Sequence, residues 1–351
     1  MSYIGKKGYS IYKKDLSDKE QLYIKKELSV KAYIPKSPVQ PDPFPVYRES
    51  PQKFYLPRHF GVEHFGDVNE NKLPRGDNIN LQFHGELREY QVNIVNKYIR
   101  AVGESGGGLL DVDPGKGKTV MALNIISQLK KKTLVIVHKS FLLNQWIERI
   151  QQFLPDARVG KIQGQIIDIE DKDIVIGMLQ SLSQKEYPDN MFDSFGLSVY
   201  DETHHLGAEV FSKSMLKCIT NYTLGLSGTM QRKDGLTKVF KMFLGNIIHK
   251  EKSNTSEHKV IVKGIHYKVD DEEFNEMKYD YRGNPLYSTM ISKLCNYNHR
   301  SEFIIKVLQT ELSRNNEQQI MILAHNKTLI TYKLLYFLHI IICRNKMIFR
   351  S

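Results

Sequence analysis

The stretch LLDVDPGKGKTVMAL, residues 109–123, decides the fold of this chain. Leu109 and Leu110 begin a short apolar run that predicts a strand, a glycine-rich turn comes next, and Lys118-Thr119 opens a run with helical spacing. This order is typical of a phosphate-binding loop, because backbone N–H groups converge at a helix N-terminus, where the helix dipole favours anions. A glycine-rich turn with a chance GKT is the alternative.

The residue types of this loop fit phosphate chemistry. Gly115 and Gly117 allow the backbone to approach a phosphate closely, Lys118 can reach the β- and γ-phosphates, and the Thr119 hydroxyl can ligate Mg²⁺. The full pattern G-x-x-x-x-G-K-[ST] has a glycine where this chain has Val112. The sequence therefore predicts a nucleotide site that departs from the pattern at one position.

Composition bounds the class of protein. A length of 351 residues with 41% hydrophobic side chains predicts two globular domains with room for a small third. A net charge of +11 indicates a polyanionic partner, most simply nucleic acid, although a merely basic soluble protein stays open. Three widely spaced cysteines fit an intracellular, reducing compartment rather than a disulfide framework. We expect no membrane partner, since no signal peptide or spanning run is visible.

Residues 1–80 differ in composition from the rest of the chain and are predicted to form an accessory region with a linker. Tyrosines alternate with lysine pairs such as Lys6-Lys7 and Lys13-Lys14, and residues 35–57 are dense in proline. Such a region can track a phosphate backbone and stack on bases. A small solvated domain that uses its tyrosines as core explains the pattern equally well.

Strands alternate with helical segments after residue 80, which predicts an α/β fold with a parallel sheet covered by helices on both faces. Leu87–Ile99 has helical spacing, and Gly106-Gly107-Gly108 is predicted to be a turn before the loop strand. Trp146 lies on the apolar face of a later helix, and we expect it to be core.

A second group of polar residues supports the phosphate loop. The strand LSVY ends at Asp201-Glu202, which places Asp201 to hold Mg²⁺ and Glu202 to orient and deprotonate a water. A solvent-facing acidic turn is the alternative. A zinc site at His204-His205 is disfavoured, because neighbours on an extended chain point to opposite faces.

With these motifs in order, residues 87 to about 245 resemble the first motor domain of a superfamily 2 DExH-box helicase. LREYQ resembles the upstream adenine-recognition motif, DPGKGKT motif I, VHKSFLLNQW motif Ia, VIGMLQSLS motif Ic, DETHH motif II and LSGT motif III. Within the superfamily, YDETHH and LGLSGTMQRKDG resemble the branch of the xeroderma pigmentosum B helicase, phage branch-migration helicases and the poxvirus transcript-release helicase. The N-terminal region is most similar to members from large DNA viruses, which implies a host cytoplasm, viral factory or virion.

The resemblance implies RecA-like domains, ATP and Mg²⁺ as cofactors, and movement along nucleic acid. It favours DNA over RNA and adds transcription machinery as a partner. The implied nucleotide residues are Arg88, Gln91, Gly115, Lys116, Gly117, Lys118, Thr119, Asp201 and Glu202. The implied coupling residues are Ser227, Gly228 and Thr229, and the implied nucleic-acid contacts are Lys139, Ser140, Gln180, Ser181 and Arg232.

The sequence departs from the family in its last part. Residues 81–250 are predicted to be the first RecA-like domain, and residues 251–351 a linker with an incomplete second one, in which Gln318–Tyr332 resembles motif IV. No Q-x-x-G-R-x-x-R occurs in the chain, so the arginine-finger residues lack a counterpart. The alternative to a helicase or translocase is therefore a truncated, weakly active remnant that binds ATP and nucleic acid. The motor of a restriction-type nuclease would need a nuclease motif, and none is convincing.

Overall fold

The computed structural model describes residues 2–31, 40–68, 70–201, 208–228, 237–251 and 263–314. The chain divides into two compact units, residues 1–255 and residues 256–351. Within the described residues, no helix has the length and apolar character needed to cross a membrane.

The N-terminal region folds around a five-stranded sheet. Its elements are β1 (Tyr3–Gly5), β2 (Gly8–Tyr12), a 3₁₀ turn (Lys13–Asp15), α1 (Asp18–Glu27), β3 (Ser29–Val30), β4 (Phe44–Pro45), β5 (Arg48–Glu49), β6 (Lys53–Leu56), α2 (Arg58–Phe65) and β7 (Glu70–Asn71). The strand order is β5-β6-β2-β1-β7, with β3 and β4 paired separately. A capping box starts α1, because Ser17 and Glu20 each bond the other's backbone N–H.

The tyrosines of this sheet serve two purposes. Tyr9 is fully buried in the core between the sheet and the rest of the unit. Tyr3 and Tyr12 lie on the opposite face, where the Lys53 ammonium is 5.0 Å from the first ring centroid and 4.3 Å from the second. Strand alternation separates the two sets, since successive side chains point to opposite faces.

The second sheet of this unit has eight strands and is parallel except for its edge strand β11. Its elements are α3 (Glu89–Ser105), β8 (Gly107–Asp111), α4 (Lys118–Leu129), β9 (Thr133–Val137), α5 (Ser140–Phe153), β10 (Val159–Gln163), β11 (Ile166–Ile167), β12 (Ile174–Met178), α6 (Leu179–Gln184), β13 (Leu197–Tyr200), α7 (Ala208–Met215), β14 (Tyr222–Ser227), α8 (Thr237–Leu244) and β15 (Ile247–Lys250). The strand order is β11-β10-β12-β9-β13-β14-β8-β15.

Both faces of this sheet are buried, which explains why its strands read as unbroken apolar runs. Leu110 packs in one cluster with α3, α4 and α5, whereas Leu109 packs in the other with α7, α8 and the N-terminal region. The predicted α/β fold, a RecA-like parallel sheet with helices on both faces, is confirmed.

The predicted triple-glycine turn is wrong for two of its three residues. Gly106 ends α3 in the left-handed region, but Gly107 and Gly108 belong to β8. A methyl group on either would lie 2.0 Å from a neighbouring side chain, Thr223 or Ile248, so glycine here allows strands to pack closely.

The described part of the second unit contains α9 (Glu272–Asn275), α10 (Tyr287–Asn296) and α11 (Asn298–Arg314). The stretch Gln318–Tyr332, assigned to motif IV, lies outside the described residues. The three-part domain division therefore stays a prediction.

Candidate nucleotide and nucleic-acid site

The glycine-rich loop begins at the carboxyl end of β8 and leads directly into α4. Gly115 and Gly117 have φ values of +82° and +81°, a backbone conformation that glycine adopts at little cost. Lys118 and Thr119 are the first two residues of α4, where backbone N–H groups have no partner within the helix. The loop therefore has the backbone of an anion site at a helix N-terminus.

Side chains at the start of α3 fasten this loop. The Lys116 carbonyl accepts hydrogen bonds from Gln91 Nε2 at 2.9 Å and from the Tyr90 hydroxyl at 3.0 Å. Gln91 Oε1 in turn accepts the Arg88 backbone N–H at 2.9 Å. Gln91 thus uses both ends of its amide to support the loop, while the Arg88 side chain is exposed.

The predicted coupling segment contacts the loop from the next strand. Ser227 is fully buried and pairs with Asp111 across β14 and β8. A methyl group on Gly228 would lie 3.3 Å from Lys118 Nζ, so the chain passes closely beside this ammonium. Lys118 Nζ also donates to the Val112 carbonyl at 3.2 Å and is buried. The structure therefore brings motif I and the start of motif III together.

Asp201 directly follows β13, the strand that lies between β9 and β14. Its carboxylate accepts a hydrogen bond that the sequence did not predict. The residue is 6% exposed, and its Oδ2 accepts the indole N–H of Trp146 at 2.8 Å. Trp146 is 1% exposed, so its prediction as core is confirmed, but it also orients a carboxylate. The signal in the sequence was its N–H group, because a buried indole usually finds an acceptor.

Glu251 is a second residue that the motif analysis did not identify. Its Oε2 accepts the Asp113 backbone N–H at 3.2 Å, and its Oε1 lies 3.6 Å from Lys116 Nζ. The Glu251 backbone N–H donates to the Asp111 carbonyl at 2.8 Å and continues the pairing of β15 with β8. One carboxylate therefore ties the end of β15 to the phosphate loop.

Most predicted nucleic-acid contacts lie at the same edge of the sheet, at the ends of β9 and β12, which are three and four strands away from β8. Lys139 and Ser140 come after β9, and Gln180 and Ser181 come after its neighbour β12. Gln180 Nε2 donates to the His138 carbonyl at 3.1 Å and joins the two loops. Lys139, Ser140 and Gln180 are exposed, so they are accessible to a partner.

Comparison with known proteins finds similarity over the part of the chain that holds these residues. Residues 84–232 match the family described as "Type III restriction enzyme, res subunit". A protein of Acanthamoeba polyphaga mimivirus, provisionally named an ATP-dependent RNA helicase, is 33% identical over 86% of this chain and 59% of its own length. The matched region is similar to the motor domain of superfamily 2 helicases.

Two further proteins are similar to this chain. The "DNA 3'-5' translocase XPB2" of Sulfurisphaera tokodaii is 31% identical over 56% of this chain and 43% of its own length. The UvsW helicase of bacteriophage T4 has a solved structure with 16% identity and a TM-score of 0.47, covering 66% of this chain and 94% of that one. The chain spans about half the length of the two curated relatives.

Three predicted residues of the helicase motifs lie outside the described residues: Glu202, Thr229 and Arg232. The predicted motif residues that the structure describes fall into two groups along the carboxyl edge of the parallel sheet. Lys118, Thr119 and Ser227 lie around the phosphate loop, and the group at β9 and β12 lies beyond Asp201. The individual roles assigned to these residues stay predictions.

Proposed function

We propose that the chain is an ATP-dependent nucleic-acid motor, a helicase or translocase. The observation that supports this most directly is the loop 113–117, with two glycines at positive φ, a buried lysine at its end and Asp201 on a nearby strand. In parallel sheets, ligands bind beyond the carboxyl ends of the strands, where all these residues lie.

The residues present fit Mg–ATP. The loop N–H groups and Lys118 would hold the phosphates, and Thr119 and Asp201 would hold Mg²⁺, which neutralises charge on the phosphates when bound. Trp146 keeps the Asp201 carboxylate oriented through its N–H. Glu202 would orient the attacking water and accept its proton.

The exposed polar residues after β9 and β12 would contact the nucleic-acid backbone. Contacts to phosphate and sugar carry no direct sequence information, so we propose binding without base specificity. DNA is the favoured substrate, supported by the name of the XPB2 relative, although the mimivirus relative is named for RNA. Transcription complexes are the proposed setting for this activity.

The test is ATP hydrolysis by the purified chain, with and without single-stranded and duplex DNA and RNA. We expect turnover that a nucleic acid stimulates and that Lys118→Ala abolishes, because the substitution removes the ammonium from the phosphates. Lys241→Ala is a matched control, since it removes an exposed lysine on α8 that belongs to none of the quoted motifs.

Two results would contradict the proposal. Turnover that persists in Lys118→Ala would assign hydrolysis to a contaminant. Nucleotide binding without turnover under any condition would instead favour the alternative function, an ATP- and nucleic-acid-binding module.

A further inference from the structure

A polar cavity of about 410 Å³ lies at the opposite edge of the parallel sheet from the phosphate loop. Gly106 precedes β8, Tyr222 begins β14, and Lys131 precedes β9, so the amino ends of three strands border the cavity. Arg58, the first residue of α2, forms another part of its wall. Among the described residues, none of those that line it belongs to the motor sequence motifs.

The cavity has a strong positive bias. Three of its lining side chains are cations, Arg58, Arg75 and Lys131, and they come from three separate segments of the chain. Among the described residues that line the cavity, Glu104 is the single acidic one. The lining therefore has a formal net charge of +2.

Arg58 and Lys131 donate hydrogen bonds only to neutral oxygens. Arg58 Nη1 donates to the Asn221 carbonyl at 2.7 Å, and Lys131 Nζ donates to Asn78 Oδ1 at 2.8 Å. Among the described residues, no carboxylate oxygen lies within 4.0 Å of any of the three cations. Elsewhere in the chain an arginine is paired with a carboxylate. Arg158 donates two side-chain hydrogen bonds to Asp173, at 3.0 and 2.9 Å.

Arg58 is half-buried, so part of its guanidinium is withdrawn from water. Burial lowers the pKa of the Arg58 guanidinium, and the neighbouring Tyr222 acts weakly in the opposite direction. A buried charge without a counter-charge is costly, so buried charges are usually paired. An anion in the cavity would supply the missing counter-charge.

The end of α3 offsets part of this charge. The Arg58 guanidinium packs against Gly106, where a methyl group would lie 2.3 Å from Nη2, at the negative end of the helix dipole. A helix end carries only about half a unit charge, and its effect fades within the last turn. It does not neutralise three cations, even together with Glu104.

We propose that this cavity binds a phosphate group, at a site separate from the nucleotide loop. Arginine presents a planar fork that matches phosphate oxygens, and lysine adds a point charge. The volume lies within the range of about 300–1,000 Å³ that is usual for ligand pockets. A free phosphate compound and a backbone phosphate of nucleic acid have the same chemistry here.

The probe is inorganic pyrophosphate, titrated by calorimetry in chloride buffer at constant ionic strength. Lys118→Ala is the background, because it weakens the competing phosphate site of the nucleotide loop. We expect binding to persist in this background and to weaken at least tenfold when Arg75→Ala and Lys131→Ala are added. Arg100→Ala, on the exposed face of α3, is the matched control and should leave binding unchanged.

Arg58→Lys tests the half-buried fork without removing its charge. We expect it to weaken pyrophosphate binding several-fold, since an ammonium cannot form the paired hydrogen bonds of a guanidinium. Thermal unfolding is measured for each variant. If a variant has a lowered unfolding midpoint, its pyrophosphate binding is measured at a temperature where it is folded. No pyrophosphate binding in the Lys118→Ala background would overturn the proposal, as would equal binding by the Arg75/Lys131 and Arg100 variants.

A second titration identifies the source of the phosphate. If a nucleic-acid backbone occupies the site, the Arg75/Lys131 variant loses oligonucleotide affinity and pyrophosphate competes with oligonucleotide. If a free phosphate compound occupies it, oligonucleotide affinity is unchanged while pyrophosphate binding is lost. Both results support the site and are independent of ATP hydrolysis, so a failure of the motor proposal would not affect them.

Discussion

The two edges of the parallel sheet differ in how their polar groups are satisfied. At the carboxyl edge, the phosphate loop is held by Gln91, Tyr90 and Glu251, and Asp201 has Trp146 as a donor. At the amino edge, Arg58 and Lys131 bond only to neutral oxygens. The first edge is built before its ligand arrives, whereas the second has an excess of positive charge.

The largest effect that we expect is on nucleotide binding at the carboxyl edge, in the variant Gly117→Ala. The new methyl group would lie 2.4 Å from Gln91 Nε2. The alanine would also have to adopt the positive φ that Gly117 has. Strain of about 1–2 kcal/mol and loss of the Gln91 hydrogen bond, about 1–3 kcal/mol, should weaken nucleotide binding at least ~30-fold. Nucleotide titration by fluorescence polarisation measures this.

Gly115→Ala is the matched control for this substitution. Gly115 has nearly the same φ, but nothing lies within 4 Å of the added methyl group. Only the strain applies, so we expect a loss of about tenfold. Equal losses in both variants would show that Gln91 does not matter to the loop.

The next prediction concerns stability at the amino edge. Burial, helped by the charge of Arg58, lowers the pKa of His59 from 6.5 to about 4. Between these values the unfolded chain binds a proton that the folded chain does not, so the free energy of unfolding falls as the pH drops from 6.5 to 4. The full loss is about 3 kcal/mol.

Urea unfolding at about pH 7 and about pH 4.5 measures this loss. We expect His59→Gln to lose less stability than the wild type over this interval, because glutamine does not titrate. If the free energy of unfolding depends on pH in the same way in the wild type and in His59→Gln, then His59 is protonated as readily in the folded chain as in the unfolded one.

Trp146→Phe tests the orientation of the Asp201 carboxylate. Phenylalanine retains most of the packing but removes the indole N–H, so we expect the Mg²⁺ concentration for half-maximal nucleotide binding to rise about tenfold, as for other partners of metal ligands. Thermal unfolding of the same variant reports the packing change separately. An unchanged Mg²⁺ dependence beside a lowered unfolding midpoint would leave Trp146 with a packing role only.

The smallest effect concerns Glu251. Glu251→Gln keeps an oxygen that can accept the Asp113 N–H. It removes the negative charge beside Lys116, so the Lys116 ammonium becomes available to a phosphate. Pairs of this exposure contribute about 0.2–1 kcal/mol, so we expect nucleotide affinity to rise about two- to threefold at low salt and less at high salt. Weaker nucleotide binding in this variant would show that its carboxylate is needed to shape the loop.

The same contrast explains what the sequence could predict. Residues 113–119 are contiguous, and their chemistry can be read from their order, as can the strands and helices on either side. Glu251 lies far along the chain from this loop, and its position depends on the pairing of β15 with β8. Arg58, Arg75 and Lys131 share no motif, because only the packing of the N-terminal region on the sheet brings them together.

The bond between Trp146 and Asp201 also has a spectroscopic consequence. Trp146 is the one tryptophan among the 351 residues, so all indole emission from the chain comes from a ring whose N–H is bonded to the motif II carboxylate. Any change in that carboxylate, such as the arrival of a cation, alters the electric field at the ring. The unlabelled protein therefore carries its own optical reporter for events at this strand end.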